Sequence, residues 1–137
     1  MTDQELQQLI IASVNGDLDC FAQLLSIAPS RIYSCRDSMP LLAVTKETLL
    51  RVLASLRLNR ISEDLVQRWG SFVRRGYYGT TDGPIRPLDI DYDPLAEDLI
   101  AEVVARLDGL GDPVDGTLSD EEIQELINEI GEDKIVS

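Results

Sequence analysis

Ser62-Glu63-Asp64-Leu65-Val66-Gln67-Arg68-Trp69-Gly70-Ser71-Phe72-Val73-Arg74-Arg75-Gly76 is the segment whose pattern decides the fold class. Ser62 is a helix N-cap, a hydroxyl placed to accept from the free amides of a first turn. Glu63 and Asp64 follow where the helix dipole favours anions, and Arg74 and Arg75 close the segment where it favours cations. Leu65, Trp69, Phe72 and Val73 fall on one face, and Gly76 supplies the stop.

Upstream the same grammar repeats. Thr2-x-x-Glu5 is a capping box, in which hydroxyl and carboxylate satisfy each other's backbone amides. Leu6, Leu9, Ile10 and Val14 follow at helical spacing until Gly16. Asp17 caps a second helix with Leu18, Phe21, Leu24 and Leu25, limited by Pro29. Ile32 and Tyr33 begin either a short strand or a helical turn, and Ser34 to Pro40 reads as loop. Leu41-Leu42-Ala43-Val44 is an apolar run whose type periodicity leaves open. Thr45 caps a helix carrying Leu49, Leu50, Val52, Leu53 and Leu56, apolar around much of its circumference and so expected near the centre.

Downstream, Tyr77 to Tyr92 is a long loop rich in turn formers, and long loops in small domains are often functional. Asp93-Pro94 reads as a helix start. Leu95, Leu99, Val103, Leu107 and Leu110 make its apolar stripe, and Gly109 and Gly111 end it. Ser119-x-x-Glu122 is a second capping box, opening a last helix with Ile123, Leu126, Ile127 and Ile130 buried and Gly131 as stop; residues 132–137 read as a frayed tail. With no repeat or linker, 137 residues make one all-α domain, a bundle-like packing of five or six helices with at most a minor strand element near Ile32 or Leu41.

Charge divides the chain. Residues 89–137 carry 16 Asp and Glu against 2 Lys and Arg, while the first 88 residues are almost neutral, so the whole net charge of −13 lies in the acidic third at 89–133. Such a surface repels nucleic acid and favours basic proteins or cations. Residues 31–88 carry 10 bases and 5 acids. Arg68, Arg74, Arg75 and Arg86 are expected to face the acidic third and neutralise part of it.

Catalysis finds little equipment. There is no His, which removes the usual general base and the Ser-His and Cys-His pairs. The lysines are Lys46 and Lys134, outside any motif, and Gly79 to Gly83 lacks the lysine and preceding strand of a phosphate loop. Cys20 sits among apolar residues as inert core, and Cys20 and Cys35 make no framework. The expectation is a non-enzyme with no cofactor. No signal-peptide pattern or membrane-length apolar run occurs, so the expected location is cytoplasmic, with reduced thiols.

Two acidic patterns bear on metals. In residues 111–122, Asp115, Gly116, Leu118 and Glu122 fall at the fifth, sixth, eighth and twelfth positions of an EF-hand-like loop. Gly111 and Pro113, however, occupy the first and third ligand positions, and a capped helix after a turn has the same look. Asp112, Asp115 and Glu122 are therefore the weaker candidates, for a divalent-cation module using calcium. Asp89-x-Asp91-x-Asp93 in extended chain puts three carboxylates on one side, with Ile90 and Tyr92 turned inward. Helix capping by Asp93 and an ion pair of Arg86 with one neighbour account for them better than a metal site does.

Tyr77-Tyr78 at a helix end, followed by the carboxylates from Asp89 onward, resembles bacterial immunity proteins of the colicin type. The resemblance covers less than half of the chain, which is longer than those proteins and sets a glycine–proline loop after the tyrosines. It implies an acidic helical surface that masks a basic partner, a toxin or nuclease, with Tyr77, Tyr78, Asp89, Asp91, Glu97, Asp98 and Glu102 as the binding residues. The segments Trp69–Gly76 and Pro84–Asp89 are also similar to short bacterial proteins that suggest no function. A structural subunit of a larger assembly is the remaining reading.

Overall fold

The computed structural model describes residues 2–58, 60–76, 87–110 and 118–135, with side chains through residue 131. The described residues form seven α-helices and two short strands: α1 (Asp3–Val14), α2 (Leu18–Leu24), α3 (Pro29–Tyr33), β1 (Leu42–Val44), α4 (Lys46–Arg57), α5 (Glu63–Arg75), β2 (Ile90–Tyr92), α6 (Glu97–Asp108) and α7 (Asp120–Ile135). The protein is thus an all-α domain with a minor strand element. Five of the seven helix starts carry a side-chain cap. Thr2, Asp17, Thr45 and Ser62 each accept a hydrogen bond from an amide of the following first turn, and Ser119 accepts from the Glu122 amide at 3.1 Å while Glu122 accepts from the Ser119 amide at 3.3 Å. Each such cap is worth about 1 kcal/mol. At the other ends, Gly16 and Gly76 take φ of +95° and +82°, where a side chain would be strained.

Several expectations are corrected. Asp93-Pro94 does not open α6: the Asp93 amide donates to the Val44 carbonyl at 3.0 Å, which keeps Asp93 in line with β2. The chain must then turn, with the Asp93 carboxylate accepting from the Leu95 amide at 3.1 Å and its carbonyl from the Ala96 amide at 3.0 Å. Leu95 consequently leaves the apolar stripe and is 91% exposed. Gly131 does not stop the last helix, because its φ is not in the left-handed region that a glycine stop requires. The helix α7 runs through Gly131 to Ile135. Ile32 and Tyr33 settle into α3, with Pro29 at its first turn, and Leu65 is only half-buried, Val66 taking its place on the inner face of α5.

The apolar run at 41–44 is β1, which pairs in parallel with β2 in the register Leu42–Ile90, Ala43–Asp91 and Val44–Tyr92. Leu42 and Val44 are buried, and Leu41, one residue outside, is exposed. Gly76 and the residues entering β2 are tied together by the Leu88 amide on the Gly76 carbonyl at 2.9 Å, and Arg36 donates to the Pro87 carbonyl at 2.7 Å and pairs with Asp89 at 3.5 Å.

One continuous core joins every helix. Trp69 is its largest member and fully buried, its indole N–H donating to the Ser13 carbonyl of α1 at 2.8 Å. Phe72 meets Phe21 of α2 with ring centroids 5.5 Å apart. On another face of α5, Gly70 lies against the end of α6. A Cβ at Gly70 would stand 2.9 Å from the Asp108 amide nitrogen and 3.2 Å from the Leu107 carbonyl carbon, backbone atoms that cannot yield. Thus α6 rests chiefly on α5, whereas α7 rests chiefly on α4.

Two glycine-to-alanine substitutions should therefore act in opposite directions. Gly70→Ala is expected to lower stability by about 1–3 kcal/mol through overpacking. Gly131→Ala, with open space around the new methyl, is expected to raise it by about 0.5–1 kcal/mol. Urea unfolding followed by circular dichroism measures both; a Gly131→Ala protein less stable than the parent would contradict a continuous α7.

Candidate functional site

Among the described residues, most acidic side chains of the last third fall into two connected places. The first is the corner where β2 turns into α6. Asp89 and Asp91 are exposed on and beside β2, Glu97 and Asp98 are exposed in the first turn of α6, and the exposed Leu95 stands between them. The inward turn of Ile90 and Tyr92 is as expected, both being partly buried and packed on the core. The three aspartates do different work: Asp89 pairs with Arg36, Asp93 holds the turn, and Asp91 projects into solvent. Among the described residues no group of three or more Cys, Asp or Glu side chains is placed to hold a metal ion.

The second place is a trough between α6 and α7. These helices pack on α5 and α4 respectively and hardly on one another, leaving a cleft of about 460 Å³ lined by Glu102, Ala105 and Arg106 from α6 and by Leu118, Glu122, Glu125, Leu126 and Glu129 from α7 and the residues before it. Helical spacing explains the lining. Asp98, Glu102, Ala105 and Arg106 recur at intervals of three and four on one face of α6, so one acidic stripe connects the corner to the trough. Glu122, Glu125 and Glu129 recur the same way on α7, with Leu126 among them. The lining thus has an apolar floor of Ala105, Leu118 and Leu126 beneath a rim of glutamates.

Arg106 bridges the trough, donating to Glu122 at 2.9 Å. Glu122 also accepts from the Ser119 amide and hydroxyl. These contacts, the Ser119 amide first, hold the Glu122 carboxyl below its ordinary value of 4.5. They also occupy it, leaving little of it for the metal ligation the loop pattern suggested; Asp112 and Asp115 lie outside the described residues. Glu102, Glu125 and Glu129 are exposed and form no ion pair with another described residue. Like charges on facing helices repel, so the rim carries an electrostatic cost that a cation would relieve.

Of the arginines expected to neutralise the acidic third, Arg74 does so, pairing at 2.9 Å with Asp108, whose side chain is only 9% exposed. Gln67 adds a hydrogen bond to the same carboxylate at 3.3 Å, and together they offset the poor placement of an anion at a helix C-terminus. Arg68 instead pairs with Asp64 of its own helix, and Arg86, Tyr77 and Tyr78 lie outside the described residues. The thiols show no activation. Burial pushes up both Cys20, which is half-buried with Asp17 adding to the shift, and Cys35. No helix among the described residues is long and apolar enough to cross a membrane.

Comparison of the chain with protein-family models, with curated proteins and with solved structures finds no match. The residues alone therefore carry the functional reading. Of the seven residues expected to bind a partner, five are placed and exposed, four at the corner and Glu102 on the trough. Glu125, Glu129 and Leu126 were not among the expected site residues. Their spacing was visible in sequence, but which helix faces theirs was not.

The lowered Glu122 carboxyl has a sign that can be tested. A depressed folded-state value means that ionised Glu122 adds stability above the ordinary carboxylate value, and that this contribution disappears as pH falls through the lower folded value. Wild type should therefore melt above Glu122→Gln at pH 7, and the gap should close as pH is lowered from 4.5. A gap that stays constant to pH 3 would contradict the assignment.

Proposed function

We propose that this protein is a non-catalytic binding protein whose acidic α6–α7 side engages a basic protein partner, in the manner of an immunity or inhibitor protein that masks a toxin or nuclease. The observation that carries the reading is the trough itself: three glutamates without ion partners among the described residues stand around an apolar floor. Anions with no internal duty, beside apolar surface left uncovered, are what a basic partner completes. At the corner Asp89 is paired with Arg36, and Asp91, Glu97 and Asp98 extend the same field along α6 and would steer an approaching cation before contact.

Catalysis has no comparable support. No thiol is activated, the best-formed carboxylate contacts are structural pairs, and a chain without His would need some other base in a cleft. A divalent-cation role gains nothing from the described residues, since Glu122 is engaged by Ser119 and Arg106.

Position, not net charge, should decide binding. Proteins captured from a lysate of the source cell at about 50 mM salt should be basic and released by about 500 mM, where screening is nearly complete. The triple variant Glu102→Gln/Glu125→Gln/Glu129→Gln should associate about tenfold more slowly with such a partner. Glu5→Gln/Asp19→Asn/Glu63→Gln, with the same change in net charge, should stay near wild type. Equal slowing by both triples, or capture of acidic partners indifferent to salt, would sink the proposal.

A further inference from the structure

We infer that the occupant of the α6–α7 trough is a single basic amphipathic helix of the partner, seated by apolar side chains on Ala105, Leu118 and Leu126 and flanked by lysines or arginines at Glu102, Glu125 and Glu129. The inference rests on the reading above and adds to it the conformation and side-chain pattern of what binds.

The first ground is architectural. The two helices that wall the trough are each seated on a different neighbour, α6 on α5 and α7 on α4, and α6 also touches α4. Antiparallel bundles fill such a gap with another helix, whose ridge of side chains enters the groove between two others. The volume of about 460 Å³ is too small for a whole helix, which is about 10–12 Å across with its side chains. It suits the two or three anchor side chains that one helix face inserts while the rest of the helix stays outside.

The second ground is register. Glu122, Glu125 and Glu129 follow one another on α7 at three and four residues, about 4.5 and 6 Å of rise. Of these Glu125 and Glu129 are left for a partner, Glu122 being held by Arg106 and Ser119. A helix lying along α7 repeats its same-face residues at those intervals. An extended peptide repeats them at about 6.5 Å and drifts out of step. From Glu122 to Glu129 is about 10 Å, two turns, which accommodates anchors at i, i+3 or i+4, and i+7.

The third ground is charge complementarity. The trough is lined by four glutamates and one arginine, and that arginine is already held by Glu122. An acidic or neutral apolar helix would bury the three remaining carboxylates beside it without counter-charge, which is costly. A helix with cations on both flanks of its apolar stripe satisfies both rims at once. Two copies of this chain do not pair trough to trough, since residues 89–137 carry two bases in all, Arg106 and Lys134, the first of them committed to the trough.

The test uses the full chain and two labelled synthetic peptides of about fourteen residues, roughly four helical turns. One has leucines at i, i+4 and i+7 with lysines flanking that face; the other has the same composition in an order that gives no apolar face. Fluorescence anisotropy should show the amphipathic peptide binding about tenfold tighter than its permuted form. Ala105→Trp, which fills the floor at an exposed position without changing charge, should weaken it by a similar factor. Glu125→Lys should do so as well, should the tryptophan variant fail to fold. The bound amphipathic peptide should gain helical circular dichroism. Equal affinity for the two peptides, or floor and rim variants that bind like wild type, would overturn the helical occupant while leaving the salt-sensitive basic partner in place. Failure of the amphipathic peptide to bind at low salt would also overturn it, and the basic-partner reading would fall with it only if salt-sensitive capture of basic proteins were lost too.

Discussion

The contact on which the arrangement depends is the crossing of α5 and α6 at Gly70. Trp69, the preceding residue, drives its ring into the core and reaches the Ser13 carbonyl of α1. Gly70 presents bare backbone to Leu107 and Asp108, so α6 can lie directly on α5. Neighbouring residues of one helix thus tie down α1 on one side and α6 on another. Because α6 is held so closely to α5, it is not free to close against α7, which is committed to α4 through Leu56, Ile123 and Ile130 in the shared core. The trough is the geometric remainder of two good helix pairings.

Much of the architecture was legible in the sequence because helix ends are local chemistry. Thr45, Ser62 and Ser119 announce starts within four residues of themselves, and Gly16 and Gly76 announce stops through a backbone conformation that other residues resist. The misreadings have a common origin in long-range contact. Asp93-Pro94 has the local signature of a helix start, but the Val44 carbonyl, 49 positions earlier in the chain, claims the Asp93 amide. The strand at Leu42–Val44 could not be separated from a helical turn by its four apolar residues, and its partner at Ile90–Tyr92 was needed to define it. Gly131 carries the composition of a stop, yet its φ is not in the left-handed region and α7 runs through it.

The candidate site was legible in kind but not in place. The charge asymmetry pointed to residues 89–133, and Glu102 was among those singled out. Which carboxylates are spent internally depended on partners far away in sequence: Asp108 is neutralised by Arg74, Asp89 by Arg36 and Glu122 by Arg106. What remains on the trough, Glu102, Glu125 and Glu129, is a residue set that only the pairing of helices defines. An acidic tract becomes a candidate site when its anions have no ion partners among the described residues and stand beside apolar surface, and Glu102, Glu125 and Glu129 meet that condition between α6 and α7.

Amide chemical-shift mapping with a basic amphipathic peptide examines this account most directly, since each residue reports separately. The account predicts that, at moderate salt, the shifts concentrate on residues 102–106 and 118–129 and fade toward the corner at Asp89–Asp98. Shifts spread evenly over acidic surface at Glu5, Asp19 and Glu63 as well would contradict it, and would reduce the charge of the last third to a solvated face.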